Sequence, residues 1–252
     1  FFTAGDTLQH QASEEIDLTA TSRYVDLTAG FFFFHENIEY PNHSYASVAI
    51  PNYVLPASPA TFQTGSNTNM AGYGQATFHI TDTLDLVAGL RESYDDKAYA
   101  LPAIRGDSGE ATHYHLDWLG ELTYRPTPDI MTYGKVSTGY ISGGDFHGIT
   151  FQQETMTQAE VGAKADLLDK RLRTNLAWYW SDFRNFQAFS FVASQCAGQI
   201  SCIINYGAEQ IYGGEAEITA IPTENISLSA NLGYTHTAYS PVPSGLAPRS
   251  EE

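Results

Sequence analysis

From about Thr68 onward the chain alternates apolar and polar residues with a period of two, in spans longer than soluble strands. Leu84, Leu86, Ala88 and Leu90 share one face, opposite Asp85, Val87, Gly89 and Arg91. Leu116, Trp118, Gly120, Leu122 and Tyr124 oppose Asp117, Leu119, Glu121, Thr123 and Arg125. Val161, Ala163, Ala165 and Leu167 oppose Glu160, Gly162, Lys164 and Asp166; Leu172, Thr174, Leu176, Trp178 and Trp180 oppose Arg173, Asn175, Ala177, Tyr179 and Ser181. Ala216, Ile218 and Ala220 stand against Glu215, Glu217 and Thr219, and Ile226, Leu228, Ala230, Leu232 and Tyr234 against Ser227, Ser229, Asn231, Gly233 and Thr235. Successive side chains of a strand point to opposite faces, so each span has one apolar face and one wet face. Every ionised residue in these spans falls on the wet one. Upstream, Tyr24 to Glu36 reads as another strand and 37–67 as a long loop rich in Pro, Ser and Asn.

The connections alternate between short and long. Thr81–Thr83, Arg125–Asp129, Leu168–Arg171 and Ile221–Asn225 are short; the stretches near 99–111, 143–154, 193–204 and from 241 on are long. Pro, Asp, Asn and Gly populate both sets, as turns require. The interval from one short turn to the next is about forty-five residues, the size of a propeller blade. A blade holds four short strands, however, and each interval here holds two long ones.

A soluble sandwich shows the same alternation, so three further features identify the solvent as lipid. Strands of about 10 to 14 residues exceed the usual soluble length of ~5–6 and suit a tilted bilayer span. Short turns at one end and long loops at the other are the pattern of outer-membrane barrels. Tyr124, Tyr133, Trp178, Trp180 and Tyr234 lie toward the ends of apolar faces, where an interfacial girdle belongs. Glu92 and His236 break the pattern near the long-loop rim. The expected fold is all-β: an antiparallel transmembrane β-barrel, partial, of about ten strands across residues 1–252.

Composition narrows the function. With 12 basic against 29 acidic residues the net charge is −17, which argues against nucleic acid, whose phosphates demand clustered Lys and Arg. A hydrophobic share of 42% is too high for a disordered acidic chain. No run approaches the ~18 apolar residues that a membrane-crossing helix needs. The chain opens on Phe1-Phe2 and closes on Arg249–Glu252 after a Pro/Gly/Ser stretch, so we expect an interior piece of a longer protein.

Several segments resemble the TonB-dependent outer-membrane receptors. Tyr73–Arg91 (YGQATFHITDTLDLVAGLR) is similar to their strand–turn–strand ending in Gly-Leu-Arg, and Gly139–Phe146 (GYISGGDF) to their aromatic-Ser-Gly-Gly-Phe segment, with Asp145 placed before the Phe. Glu154–Lys164 (ETMTQAEVGAK) and Leu167–Ala177 (LLDKRLRTNLA) resemble the hairpin that follows. Gly213–Glu217 (GGEAE) resembles a later Gly-x-Glu-x-Glu strand. The likeness runs from about Glu15 to Tyr239. It implies a full barrel of roughly twenty-two strands with an N-terminal plug, in the outer membrane of a bacterium. The implied function is uptake of a scarce nutrient, most often a ferric siderophore, energised by the TonB complex. It implies no enzymatic activity and no cofactor. A passive porin-like channel and a rim protease are the other functions such a barrel could serve.

Candidate residues follow from face and position. Arg91, Glu121, Glu160, Lys164, Asp166, Arg173, Glu215 and Glu217 would line the lumen, as an ion-pair network or a grip on the plug. Tyr99, Phe146, His147, Phe151, Phe189 and Phe191 lie on the long-loop side, where aromatic faces suit flat surfaces and sugar rings. Asp95, Asp96, Asp107, Glu110, Asp145 and Glu154 outnumber Lys97 and Arg105 there, so the summed field favours a neutral or cationic ligand. Cys196 and Cys202, the two cysteines, share one loop, and an oxidising compartment favours a disulfide between them. His35 with Glu36, Glu39 and His43, and the pair His113 and His115, suit a metal by chemistry, but no third ligand stands at fixed spacing, so no metal site is expected. For catalysis there is no Gly-x-Ser-x-Gly elbow, phosphate-cradling Gly loop or His-Glu-x-x-His. His113 with Asp107, or His147 with Asp145, is the best that a protease could draw on.

Overall fold

Period-two segments become a sheet only where neighbours can pair, and here every long segment pairs with the next. The computed structural model describes residues 2–4, 7–45, 61–101, 108–146, 148–198 and 201–240. Along the chain they form β1 (Phe2–Ala4), β2 (Leu8–Thr21), β3 (Val25–Tyr45), β4 (Thr61–Thr81), β5 (Leu84–Ala100), β6 (Ser108–Thr127) and β7 (Ile130–Ile141). Then come β8 (Gly144–Phe146), β9 (Ile149–Phe151), β10 (Glu154–Leu167), β11 (Leu172–Arg184), β12 (Gln187–Ser190), β13 (Cys202–Asn205), β14 (Ala208–Thr223) and β15 (Ile226–Tyr239). The main sheet is antiparallel and open, in the order β1/β2, β3, β4, β5, β6, β7, β10, β11, β14, β15: a partial barrel wall. Both β1 and β2 pair with β3, at Ala4↔His43 and Leu8↔Glu39. They therefore continue one another along β3, which makes ten spans among the described residues.

One end of the wall carries tight turns at Ser22–Tyr24, Asp82–Thr83, Pro128–Asp129, Leu168–Arg171 and Glu224–Asn225. Register shifts sit beside three of them, near Thr81, Thr127 and Thr223. At the other end the connections are longer, and two fold into hairpins of their own, β8–β9 and β12–β13.

Among the described residues the wall has no apolar core. Among the described residues, Ala71, Leu101, Cys196 and Cys202 are the buried hydrophobic ones. The apolar face is the open one: Leu90 and Val161 are 59% exposed and Trp178 51%, while on the polar face Thr123 is 3%, Ser181 4% and Asp95 6% exposed. A water-soluble protein inverts that order. Such a surface is stable where hydrocarbon covers the apolar band and where every backbone group of the span finds a partner in the ladder.

Register corrects three expectations and adds one span. Residues 37–67 are not one loop: β3 and β4 pair from Val25↔Phe78 to Asn42↔Thr61, leaving 46–60 outside the described residues. Above the bilayer both faces of a strand are wet, so alternation fades while the ladder persists. For the same reason β5 and β6 close the 99–111 stretch to within a few residues, with Ala100 paired to Ser108. β2, which the alternation of Ile16 and Leu18 with Glu15 and Asp17 could have revealed, forms an edge span. Tyr133 is not in the girdle. It pairs with Thr123 and Gly162, on the polar face; the mixed pattern of β7 hid its side.

Candidate functional site

The polar face is built from rows of side chains that reach across strands. Nearest the tight turns, His79 on β4 bridges two carboxylates, Nε2 to Asp26 Oδ2 on β3 at 3.1 Å and Nδ1 to Asp85 Oδ1 on β5 at 2.8 Å. Arg125 on β6 pairs with the same Asp85, so one charged belt ties four strands. Nothing in local spacing announces it, because its members lie far apart in sequence.

Higher up, tyrosines lie flat over glycines. Tyr73 is paired with Gly30, and its one hydroxyl proton is shared between the Glu15 and Asp17 carboxylates, one strand beyond, with Glu15 at 2.6 Å. Arg91 stacks over the Phe32 and Tyr73 rings, its guanidinium carbon 5.5 Å from each centroid. Tyr133 lies over Gly162 and donates to Glu160 at 2.6 Å; Lys135 meets Glu160 at 3.3 Å. A Cβ on Gly162 would stand 2.4 Å from the Tyr133 ring. Gly162→Val should therefore expel that ring and destabilise the full barrel by about 1–3 kcal/mol. Chemical unfolding in detergent tests it: Tyr133→Ala should cancel part of the loss, and a fully additive double mutant would show that the ring does not rest there.

The sequence-selected lumen residues do not form one network. Asp166 and Arg173 make a two-point pair at 2.7 and 3.0 Å, Glu217 accepts from Asn175 at 3.1 Å, and Glu121 accepts from Thr123 at 2.7 Å. Lys164 and Glu215 have no hydrogen bond or ion pair with a described residue, and both line the lumen groove beside Tyr179.

At the mouth, the β8–β9 hairpin folds inward over the upper ends of β5 and β6. Tyr99 donates to Asp145 at 2.9 Å and accepts from the Gly148 amide at 2.7 Å; Gly148 and Thr150 also donate to Asp145. Gly143 is required at the crossing, because a Cβ there would lie 2.4 Å from the Phe151 carbonyl oxygen and 2.5 Å from His113 Nε2. Under the hairpin lies a cavity of about 250 Å³, lined among others by Asn67, Lys97, Tyr99, Asp145 and Phe151. Asp95, just below, accepts from Asn69 at 2.7 Å and from Tyr140. A bilayer span takes about 9–11 residues, and Lys97, thirteen along from Leu84, stands above it. Burial pushes its ammonium below the ordinary range, with Asp95 pulling the other way. Burial also lowers His113, aided by Lys97 and opposed by Asp95. Among the described residues, the buried Asn67 Oδ1 and His113 Nδ1 atoms have no hydrogen-bond partner.

Residues 2–249 match the family model described as TonB dependent receptor-like, beta-barrel. The chain belongs to this family. Over 154 residues, 55% of the chain, it is 26% identical to the pesticin receptor of Yersinia pestis, of which that stretch covers 22%. The ferric yersiniabactin uptake receptor from Yersinia pestis superposes with a TM-score of 0.75 at 17% identity, over 94% of this chain and 37% of that one. A copper transporter, OprC, superposes equally well, at 0.75 and 15% identity, over 93% of this chain and 38% of that one. The chain thus spans well under half the length of the proteins it matches, and likeness at such identity establishes the fold. TonB-dependent receptors are outer-membrane proteins of Gram-negative bacteria, so the exposed apolar band of this wall faces that membrane. They are transport receptors, not enzymes.

Of the aromatic residues selected on the long-loop side of this TonB-dependent receptor barrel, Tyr99 and Phe151 meet at the cavity. Phe146 and Phe189 meet edge to face at 6.0 Å, joining the two hairpins. Phe191 stands apart and exposed, and His147 lies outside the described residues. Gln187 and Asn205, which sequence reasoning missed, hold the hairpins together. The Gln187 side-chain amide donates to the Gln152 carbonyl at 3.1 Å, its main-chain N–H donates to Glu154 at 2.8 Å, and Asn205 exchanges bonds with Gln152 at 2.7 and 2.9 Å.

Neither histidine group assembles a metal site; no three His, Cys, Asp or Glu side chains converge for one among the described residues. His35 spends both ring nitrogens on Thr68 and Asn37, and His115 stacks on Tyr140 beside Asp117. The His43 side chain and Asp107 are not described, and Asp145 is committed to Tyr99 and the hairpin.

Cys196 and Cys202 form a disulfide at the tip of the β12–β13 hairpin, both fully buried. Closing so short a loop removes about 2 kcal/mol of unfolded-state freedom on the chain-entropy formula. Cys196→Ser in the full receptor should loosen the hairpin alone: hydrogen exchange should rise across 187–205 and stay level in β10 and β11. Equal rises throughout would show that the disulfide supports the wall.

Proposed function

We propose that this chain is barrel wall of a receptor that carries a ferric siderophore or similar nutrient complex across the outer membrane. Energy would come from the TonB complex, acting through a plug domain elsewhere in the full protein. Family membership supports this reading, as do the names of relatives, among them a ferric yersiniabactin uptake receptor. The observation that carries it is a mouth roofed by inward-folded, cross-latched hairpins above a polar wall with uncommitted charges. Lys164, Glu215 and the stacked Arg91 would be available for a plug to engage.

The test is uptake of iron-55 from a panel of ferric siderophores in an iron-starved strain that depends on the full-length receptor. We expect accumulation of at least one complex, abolished when TonB is deleted. Accumulation that survives the deletion and rises linearly with concentration would establish a passive channel instead.

A further inference from the structure

β6 and β7 are neighbours in the wall, yet their ladder stops part-way. It runs from Thr127↔Ile130 at the tight turn to Leu119↔Ser137 and ends there, although β6 continues as strand to Ser108 and β7 to Ile141. Above the break each keeps its other neighbour, β6 with β5 up to Ser108 and β7 with β10 up to Ile141. Val136 lies on the apolar face, paired with Gly120 and Ala159, so alternation places Thr138 and Tyr140 on that face too. Both instead meet the polar face of β5 and β6. Thr138 Oγ1 donates to Asp117 Oδ1 at 3.0 Å; the Tyr140 ring stacks on His115 at 4.4 Å, and its hydroxyl donates to Asp95. The upper end of β7 therefore passes inside β6, and the two strands overlap as a seam. A bilayer span of about 9–11 residues, counted up from Thr127, ends near Trp118, so the seam opens where water reaches the backbone.

At the break a side chain stands in for the ladder. The Trp118 N–H, which in a continued ladder bonds the Thr138 carbonyl, is taken by the Thr138 hydroxyl at 3.0 Å. Leu116 and Tyr114, next along that edge of β6, have no ladder partner toward β7 among the described residues. No bulge separates the strands there, so a single register continues the pairing: Trp118↔Thr138, Leu116↔Tyr140 and Tyr114↔Ser142. We propose that this seam is a zipper with two states, and that closing it carries the β8–β9 hairpin off the mouth. The hairpin is the tip of the β7–β10 pair, so it goes where the upper end of β7 goes. In the unzipped state Gly143 lies against His113 and Tyr99 holds Asp145, which keeps the hairpin over the cavity. In the zipped state Gly143 is drawn into the plane of the wall beside β6, and Tyr140 joins Trp118 on the apolar face. Each state satisfies groups that the other releases. Zipping pairs the backbone at 114, 116, 140 and 142, while the seam gives Asp95, Asp117 and His115 their β7 partners. Exchange of one hydrogen-bonded set for another lets two arrangements lie close in free energy. This device goes beyond the transport function proposed above and does not depend on what crosses the barrel.

The experiment is disulfide trapping in the full-length receptor. Tyr114→Cys with Ser142→Cys makes a pair that the zipped ladder sets directly opposite, at a Cα separation of about 5.5 Å and within disulfide reach. In the seam the same two positions are divided, with Tyr114 exposed on the apolar face and Ser142 buried. Glu110→Cys with Ser142→Cys is the control, on the same edge of β6 but out of register. After mild oxidation, peptide mass spectrometry should find the 114–142 link and not the 110–142 link. Thr138→Val and Tyr140→Leu each remove part of the latch, and each should speed the link about tenfold, the scale of one hydrogen bond. Heat-dependent gel mobility reports whether a variant is folded; should neither latch variant fold, the comparison of the two cysteine pairs still decides. In the linked receptor, hydrogen exchange should rise across 144–151 and stay level in β4. No 114–142 link, equal linking of both pairs, no acceleration in a folded latch variant, or a linked receptor whose hairpin stays protected would each overturn the zipper.

Discussion

Leu176→Arg in the full-length receptor should destabilise the folded barrel by about 2–4 kcal/mol, while Asn175→Arg, one residue away, should cost little. The two are neighbours on β11 with opposite surroundings. Leu176 is half exposed on the apolar face, near the middle of the span that starts at Leu172. A guanidinium there must sit in hydrocarbon or drag water into it. Asn175 faces the wet side, where it already donates to Glu217 at 3.1 Å; an arginine at that position gains the same carboxylate. Reversible urea unfolding in lipid vesicles measures both. Equal losses at 175 and 176 would mean that the faces have been assigned the wrong way round.

The second large effect concerns the 252-residue chain by itself. In dilute buffer it should aggregate, and it should acquire its β structure in detergent or lipid, or joined to the rest of the barrel. Two features drive this. Among the described residues the sheet is open, with β2 and β15, fourteen residues each, as its edge strands. Leu86, Leu90, Leu122, Val161, Leu176, Trp178 and Leu232 also form an exposed apolar surface, far beyond the scattered apolar residues that a soluble monomer tolerates. Analytical ultracentrifugation of refolded material decides it. A monodisperse monomer with a cooperative transition in plain buffer would be incompatible with a lipid-facing wall.

Legibility in the sequence followed the range of the interaction concerned. Alternation in Leu84–Arg91 or Leu172–Ser181 needs no partner strand to be seen, and its faces stand as expected. Pro128-Asp129 and Glu224-Asn225 are turns by their own chemistry. Cys196 and Cys202 are close enough in the chain to find one another whatever the barrel does. Where the strands rise above the bilayer this signal disappears, because lipid no longer sorts the two faces. Residues 37–45 and 61–67 therefore looked like loop and are ladder.

The sequence by itself determined that this chain forms long antiparallel strands with one lipid face and one wet face, since both follow from side-chain alternation and turn residues acting locally. Only the tertiary structure decided which residues meet across the wall. Register between strands depends on each turn and bulge before it, and a shift of one residue exchanges the faces. That is why Tyr133 lies in the lumen over Gly162, and why His79 joins Asp26 to Asp85. It is also why the β8–β9 hairpin covers a cavity at the upper ends of β5 and β6, with Asp95 and Asp145 hydrogen-bonded beside it.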